Sequence, residues 1–515
     1  MLDYHFQLTR PSLDTIAGIL AALFVIYSVS WIIYTRFFHP LARYPGPFWA
    51  SVSRFWMVSQ IRGAHADKTQ RELHAHLGSI VRIAPNEVAI SDPDAIKTIY
   101  GINSGFTKTD FYTPWRPAWC RYPDAFTNLD EPLHASRRRI TNSLYSMSSI
   151  ARAEESIDKC TAVLLEKMAS FAEAKRTFDM AGWAQMYAFD VVGQLFFSHM
   201  FGCLAAGHDH RGYIRSLDLL LPILCAASVM PTYIRSLFLI GGALVQPRVM
   251  KALTSLKDID EAAEQCIAER HAQLEQGKSG DEKDILASLF AVMREKGEKV
   301  DFGRTEVKVE VYVALFAGSD TTAAAVSSVL YHLMKSPAVY KKLTNEIDEA
   351  TRAGSLSSPI QYKEAAALPY LDACIKEGMR LHPSVGLTLP RHVPAGGCQI
   401  AGAWFPEGTR VGVNAAVVHR NRDIFGNDAD NFNPDRWFGP DAARMDRYMF
   451  QFGGGSRTCI GKNISLCEMY KMIPELLRAY HIELVHPEHE WTTHNYWFNK
   501  PSNVETRVTA RATGT

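Results

Sequence analysis

The sequence predicts a mainly α-helical protein with a smaller β-sheet region and a membrane-spanning helix near its N-terminus. Three observations carry this. Residues 15–35 are uncharged and mostly apolar, residues 304–335 run without proline up to Ser336-Pro337, and the β-type runs are short, at 80–83 and 87–90. Residues 149–295 read as successive amphipathic helices. A length of 515 residues allows one large fold as readily as several domains. Hydrophobic residues at 47% supply ample core material, and Lys+Arg 55 against Asp+Glu 54 leaves a net charge of +1, so nothing marks nucleic acid as a partner. The nine cysteines are odd in number, scattered and free of any C-x-x-C pair, which argues against a disulfide framework or structural zinc.

As a helix, residues 15–35 would span about 31 Å, close to the hydrocarbon thickness of a bilayer. The run is longer than the core of a cleaved signal and ends in bulky Trp31, Ile32, Ile33 and Tyr34, so an uncleaved single-pass anchor is expected. Arg10 precedes it while Arg36 and Arg43 follow it, which places the bulk of the chain on the cytoplasmic side. The expected division is an anchor over 1–36, a proline-rich elbow over 37–48 and one large globular domain over 49–515.

The runs at 80–83 and 87–90 flank Ala84-Pro85-Asn86 and read as a hairpin of a minor sheet. Residues 106–128 are aromatic and proline-rich without period, and include Phe111, Trp115 and Phe126. Loops this long in compact proteins tend to be functional. His134 and Arg138, four apart, share one helical face, and the surrounding basic triplet could receive an acidic partner. Residues 219–230 are nearly all apolar but too short to span and interrupted by Pro222, so a buried helix is expected.

Inside the long helix of 304–335 lies Ala317-Gly318-Ser319-Asp320-Thr321-Thr322. A mid-helix glycine costs about 1 kcal/mol relative to alanine, so something should offset it. Glu377 and Arg380 sit three apart on one helical face, and Phe432-Asn433-Pro434-Asp435-Arg436-Trp437 comes after them.

The most informative stretch is Phe452-Gly453-Gly454-Gly455-Ser456-Arg457-Thr458-Cys459-Ile460-Gly461. Three glycines permit positive φ and close approach to a flat cofactor. Cys459 lies just before a helical period over 463–478, where the helix N-terminus favours thiolate, the form that binds iron. A thiolate ligand to haem iron favours O–O cleavage.

This loop resembles that of the cytochrome P-450 superfamily, F-x-x-G-x-R-x-C-x-G, at Phe452, Gly455, Arg457, Cys459 and Gly461. The resemblance implies the cytochrome P-450 fold, with haem b held between the long helix and the loop and Cys459 as axial iron ligand. Arg457, Arg138, His134 and Arg391 would lie near the haem propionates, with His134 standing where the family commonly has tryptophan. The 317–322 stretch matches A-G-x-D/E-T-T, which implies that Thr321 and Asp320 relay protons while Ala317 and Gly318 make room for dioxygen. Glu377, Arg380 and Arg436 would form the family's buried Glu-Arg-Arg scaffold. Phe111, Trp115, Phe126, Ala317, Val385, Leu387, Thr388 and Phe498 would line the substrate site, and the 219–230 neighbourhood would roof it and touch the membrane. Phe38-His39-Pro40-Leu41, Leu389-Pro390-Arg391 and Gly461-Lys462-Asn463-Ile464-Ser465 resemble fungal microsomal enzymes of the pisatin demethylase-like branch.

By the same resemblance, the chain is expected to be a monooxygenase of the endoplasmic reticulum acting on a lipophilic secondary metabolite, a terpenoid by preference. Its electrons would come from NADPH through a separate cytochrome P-450 reductase, with cytochrome b5 as a possible second donor. The residues leave open a haem-thiolate isomerase or dehydratase, against which Asp320 and Thr321 count, and a non-catalytic membrane haem- or lipid-binding protein. The substrate itself is not legible, because apolar pockets discriminate by shape more than by residue type.

Overall fold

The apolar run near the N-terminus is helical in the computed structural model, which describes residues 12–276 and 284–511. Arg10 lies outside the described residues. Helix α1 (Leu13–Ile33) starts where Ser12 Oγ accepts the Thr15 N–H, buries no side chain, and continues as a π-helical turn over Tyr34–Phe38. An apolar helix that buries no side chain in protein suits lipid.

The elbow after α1 is fastened, not loose. Trp31 Nε1 donates to the Val52 carbonyl at 2.8 Å. Arg82, one of the largest fully buried side chains, donates through Nη1 to the Thr35 carbonyl at 2.7 Å and through Nε and Nη2 to that of Pro85 at 3.2 and 2.6 Å. A buried guanidinium is tolerated only when its donors are met, and here main-chain carbonyls meet them. The end of the anchor and the first strand therefore move as one unit.

Strands β1 (Ile80–Ala84) and β2 (Glu87–Ile90) form the expected hairpin, with Ile80 opposite Ile90. Three strands from elsewhere complete a five-stranded sheet: β3 (Thr107–Lys108), β4 (Arg391–His392) and β5 (Arg410–Gly412), in the order β1-β2-β5-β4-β3. The β3–β4 pairing sets Lys108 directly opposite Arg391. Like charges so placed repel unless an anion lies between them.

The remaining elements that shape the site are α2 (Glu131–Thr141), α3 (Met180–Phe197), α4 (Tyr213–Val229), α5 (Thr232–Val245), α6 (Arg304–Lys335), α7 (Pro369–Leu381) and α8 (Lys462–Ala479). The helix expected over 304–335 is continuous. It is apolar enough to cross a bilayer, but two-thirds of its apolar window is buried in protein, so it is a core helix. A Cβ on Gly318 would lie 2.5 Å from Val192 Cγ2 on α3. Close packing of α6 on α3 is what offsets that glycine.

The stretch 219–230 lies in a buried helix, as expected, with one correction. Pro222 does not interrupt the helix; α4 runs through it. Burial of Leu217, Leu220, Leu221 and Leu224 outweighs the one lost hydrogen bond. The exposed apolar surface belongs to the next helix, α5, at Tyr233, Leu237, Ile240, Leu244 and Val245.

At the C-terminal end, β6 (Thr492–Tyr496) and β7 (Phe498–Ser502) pair antiparallel around Trp497, which sits at φ 83°. Phe498 also bridges to Val385 and closes the hairpin over the segment after α7.

Candidate active site

The glycine-rich stretch folds back on itself, with the Cys459 N–H donating to the Phe452 carbonyl at 2.9 Å. Gly455 holds φ 60°, and a Cβ there would fall on the Tyr100 carbonyl oxygen, so no other residue fits. Helix α8 begins three residues beyond the cysteine, as expected. Burial pushes the Cys459 thiol up, while the N–H groups of Gly461 and Lys462 and the Arg138 guanidinium pull it down. Burial is the largest of these, so in the bare protein the thiol lies above its ordinary range. A bound metal cation would favour the thiolate further.

Cys459 opens into a cavity of about 310 Å³. Phe452 and Gly461 share its loop-side wall, and Ala317, Gly318 and Thr321 of α6 form the wall of that helix. Trp115, Phe126, Val385, Leu387 and Phe498 line it as expected. Phe111 and Thr388 do not. Phe111 stands one layer back, its ring 5.0 Å from that of Trp497. Thr388 alternates with Leu387 and Leu389, which face the cavity, and so points to β5, against Gly412. Trp497, within the 496–498 turn that the resemblance also places at the substrate site, is a wall residue as well; its ring meets Tyr112, Trp115 and Phe126.

One end of the cavity is strongly cationic. Arg138, Arg391 and Arg457 reach its wall, and so does Lys108, which the sequence did not single out. Lys108 Nζ donates to the Phe126 carbonyl at 2.6 Å and lies 4.3 Å from the Tyr112 ring centroid. Burial, then Arg391 and Arg457, pushes its ammonium well below the usual range. Arg391 donates to Tyr112 Oη at 2.8 Å. Arg138 makes a single long bond, 3.4 Å to the Ser456 carbonyl. Arg457 forks Glu131 at 2.7 and 3.0 Å, a carboxylate the resemblance did not foresee. His134 is off the wall but buried, and neither ring nitrogen has a hydrogen-bond partner. Burial and the surrounding cations push it down to about 3.

These residues fit a haem. Asp124 spends its carboxylate capping its own turn at Phe126 and Thr127, and Glu131 is taken by Arg457. An orphaned imidazole and the three further cations Lys108, Arg138 and Arg391 thus converge without a matching anion, which is what two propionates would supply. When bound there through Cys459, haem supplies the dioxygen-activating chemistry of a thiolate-ligated iron.

On α6, Thr321 faces the cavity and its Oγ1 donates to the Ala317 carbonyl at 2.9 Å. Asp320 is enclosed and turned away from the wall, accepting from Gln185 Nε2 at 2.5 Å. Its second oxygen, Oδ2, is buried without a partner. Thr321 can hold a proton at the cavity; Asp320 stands behind it on the side of α3.

Behind the loop lies the Glu377 cluster. Arg380 forks its carboxylate at 2.8 and 2.8 Å, and Arg436 Nε, the Asn433 N–H and Trp437 Nε1 add bonds at 2.9, 2.9 and 3.1 Å. Arg380 also donates to the carbonyls of His419 and Ala429. The connection to the loop runs through His419. Its Nε2 accepts the Phe450 N–H at 2.7 Å, which leaves Nδ1 to donate to the Arg380 carbonyl at 3.2 Å. Burial, then Arg380, pushes His419 down to about 3.

A cysteine loop facing a helical groove across an apolar cavity, with a buried cationic end, defines a haem-thiolate enzyme. The cytochrome P450 family model matches residues 45–506, and this chain belongs to that family. The chain is 42% identical over 487 residues to the cytochrome P450 monooxygenase gsfF of Penicillium aethiopicum, covering 94% of this chain and 96% of that protein. It is 35% identical over 483 residues to pisatin demethylase of Fusarium vanettenii, covering 93% and 90%. It is 35% identical over 503 residues to the cytochrome P450 monooxygenase cicH of Emericella nidulans, covering 96% and 99%. The chain is a cytochrome P450 monooxygenase of a kind found in fungal secondary metabolism.

Two outcomes are expected. Glu377→Ala strands two buried guanidinium groups, a loss of about 3–5 kcal/mol. Purified protein should show a lowered melting temperature and little bound haem; normal haem content would contradict the cluster's role. His382 and His419 are buried neutral, and burial pushes them down to about 4 and about 3. Below their unfolded value of about 6.5 the unfolded chain binds the extra protons, so each costs roughly 1.4 kcal/mol of stability per pH unit of acidification down to its folded value. Urea midpoints should therefore fall steeply between pH 6.5 and 4, less so in His382→Gln.

Proposed function

We propose that this chain is an NADPH-dependent microsomal monooxygenase that inserts one oxygen atom into a lipophilic secondary metabolite of terpenoid type. The supporting observation is that Cys459 and Thr321 stand on different walls of one apolar cavity with a cationic end. In this reading Cys459 ligates the iron; Arg138, His134, Arg391 and Arg457 hold the propionates; Phe452, Gly455 and Gly461 shape the loop. Thr321 presents a proton at Oγ1 and Asp320 replenishes it. Trp115, Phe126, Ala317, Val385, Leu387 and Phe498 orient the substrate and exclude water. The relative named pisatin demethylase supports a small lipophilic metabolite as substrate class.

Electrons come from NADPH through a cytochrome P-450 reductase, with cytochrome b5 as an auxiliary donor. The chain divides into an anchor over 1–36, an elbow over 37–48 and a catalytic domain over 49–515, held on the cytoplasmic side of the endoplasmic reticulum. The unpartnered apolar face of α5 lies in the bilayer beside α1 and lets lipophilic substrate reach the cavity from lipid.

Expression with reductase in microsomes, followed by haem spectral screening of a terpenoid and polyketide panel, tests the activity. Hits should be oxidised only with NADPH, reductase and dioxygen, and Cys459→Ala should abolish this while leaving membrane binding intact. Turnover without NADPH would overturn the assignment. In nanodiscs, hydrogen exchange over Thr232–Val245 should be slower than in detergent-free truncated protein; equal rates would refute the α5 contact.

A further inference from the structure

Asp320 presents a problem of supply. Its carboxylate is sealed off at 0% side-chain exposure, so any proton it passes to Thr321 has to be replaced through the protein. Three groups form a graded path outward. Lys500, on β7, lies with Nζ 3.9 Å from Asp320 Oδ1 and is 27% exposed. Asp218, on α4, pairs directly with the same Nζ and is 43% exposed. The series 43%, 27% and 0% runs from solvent to the long helix in two steps. Asp209 adds negative charge near Lys500, and His494, its cross-strand partner, faces it from β6. The other oxygen of Asp320, Oδ2, is buried without a hydrogen-bond partner.

We propose that Asp218 and Lys500 form the proton-entry route that refills Asp320 during turnover. This rests on the monooxygenase reading above. Once the 3.9 Å gap between them closes to a hydrogen bond, Lys500 Nζ gives one proton to Asp320 Oδ1, leaving a neutral amine and a carboxylic acid. Asp218 Oδ1 takes a proton from bulk water and passes it to Nζ, which restores the ammonium. One proton moves inward per cycle, and no electrons move along this path. Lysine suits the task because its ammonium can lose a proton, whereas a guanidinium in the same place cannot. The geometry also ties proton entry to the substrate wall, because β7 carries Phe498 at the cavity and Lys500 two residues on.

The test uses the haem-loaded full chain with reductase and NADPH and without added substrate, measuring how reducing equivalents divide between water and hydrogen peroxide. Water formation requires protons at the site; peroxide release is the default when they arrive late. Lys500→Met and Lys500→Arg should each lower the water fraction at least about fivefold, a threshold set well under the roughly 10²–10⁴-fold that a positioned general acid contributes to a rate. Ethylamine should restore it in Lys500→Ala, and ethylguanidine should not. Asp218→Asn should lower it as well. Haem content and melting temperature measured on each variant identify any that fail to fold, and Lys500→Arg then carries the test because it keeps the charge. Full activity in Lys500→Arg would show a charge anchor, not a relay, and an unchanged Lys500→Met or Asp218→Asn would also overturn the route. If wild-type protein consumes no NADPH with reductase, it is the monooxygenase reading that fails.

Discussion

One buried carboxylate governs the geometry behind the cofactor loop. Glu377 accepts from two arginines, an indole and a main-chain N–H, with no exposure to solvent. Such a cluster is stable only while every member is present, because each lone guanidinium would be a desolvated charge. Through Arg380 it holds the carbonyls of His419 and Ala429, and through His419 it holds the Phe450 N–H at the mouth of the glycine loop. The position of Cys459 is thus fixed from behind by hydrogen bonds and from the side by the Tyr100 carbonyl, which excludes a Cβ at Gly455. The cluster takes no part in chemistry, yet the chemistry depends on it.

The cationic end shows the complementary principle. Lys108, His134, Arg138 and Arg391 come together with too few carboxylates, and the β3–β4 register even places two cations opposite each other. A protein gains nothing by this arrangement alone. It makes sense as one half of an ion pair whose other half arrives with the cofactor, so cofactor binding and local stability are coupled.

Much of this was legible from residues alone. The N-terminal apolar helix, the hairpin, the long helix and the helix after the cysteine all appear within a few residues of their expected bounds, because hydrophobic period and proline placement are local signals. Glu377 and Arg380 were readable as neighbours on one helical turn, and Arg436 as their partner only through a resemblance. Other features were hidden. Thr388 packs against Gly412 while its neighbours Leu387 and Leu389 line the cavity, a facing that no local signal in the sequence sets. Pro222 lies within a helix because core packing overrode a local penalty.

Local chemistry therefore declared the class of enzyme: a cysteine among glycines, an acid-threonine pair within a helix and an apolar anchor are each written in a few consecutive residues. Tertiary structure alone decided which groups meet across the chain. Lys108 stands opposite Arg391, Trp497 among four other rings, and Lys500 between Asp218 and Asp320. Arg457 meets Glu131 from 326 residues away. The physical reason is that such contacts depend on register and helix packing, which are settled by burial of the whole core and leave no periodic trace in the segments they join.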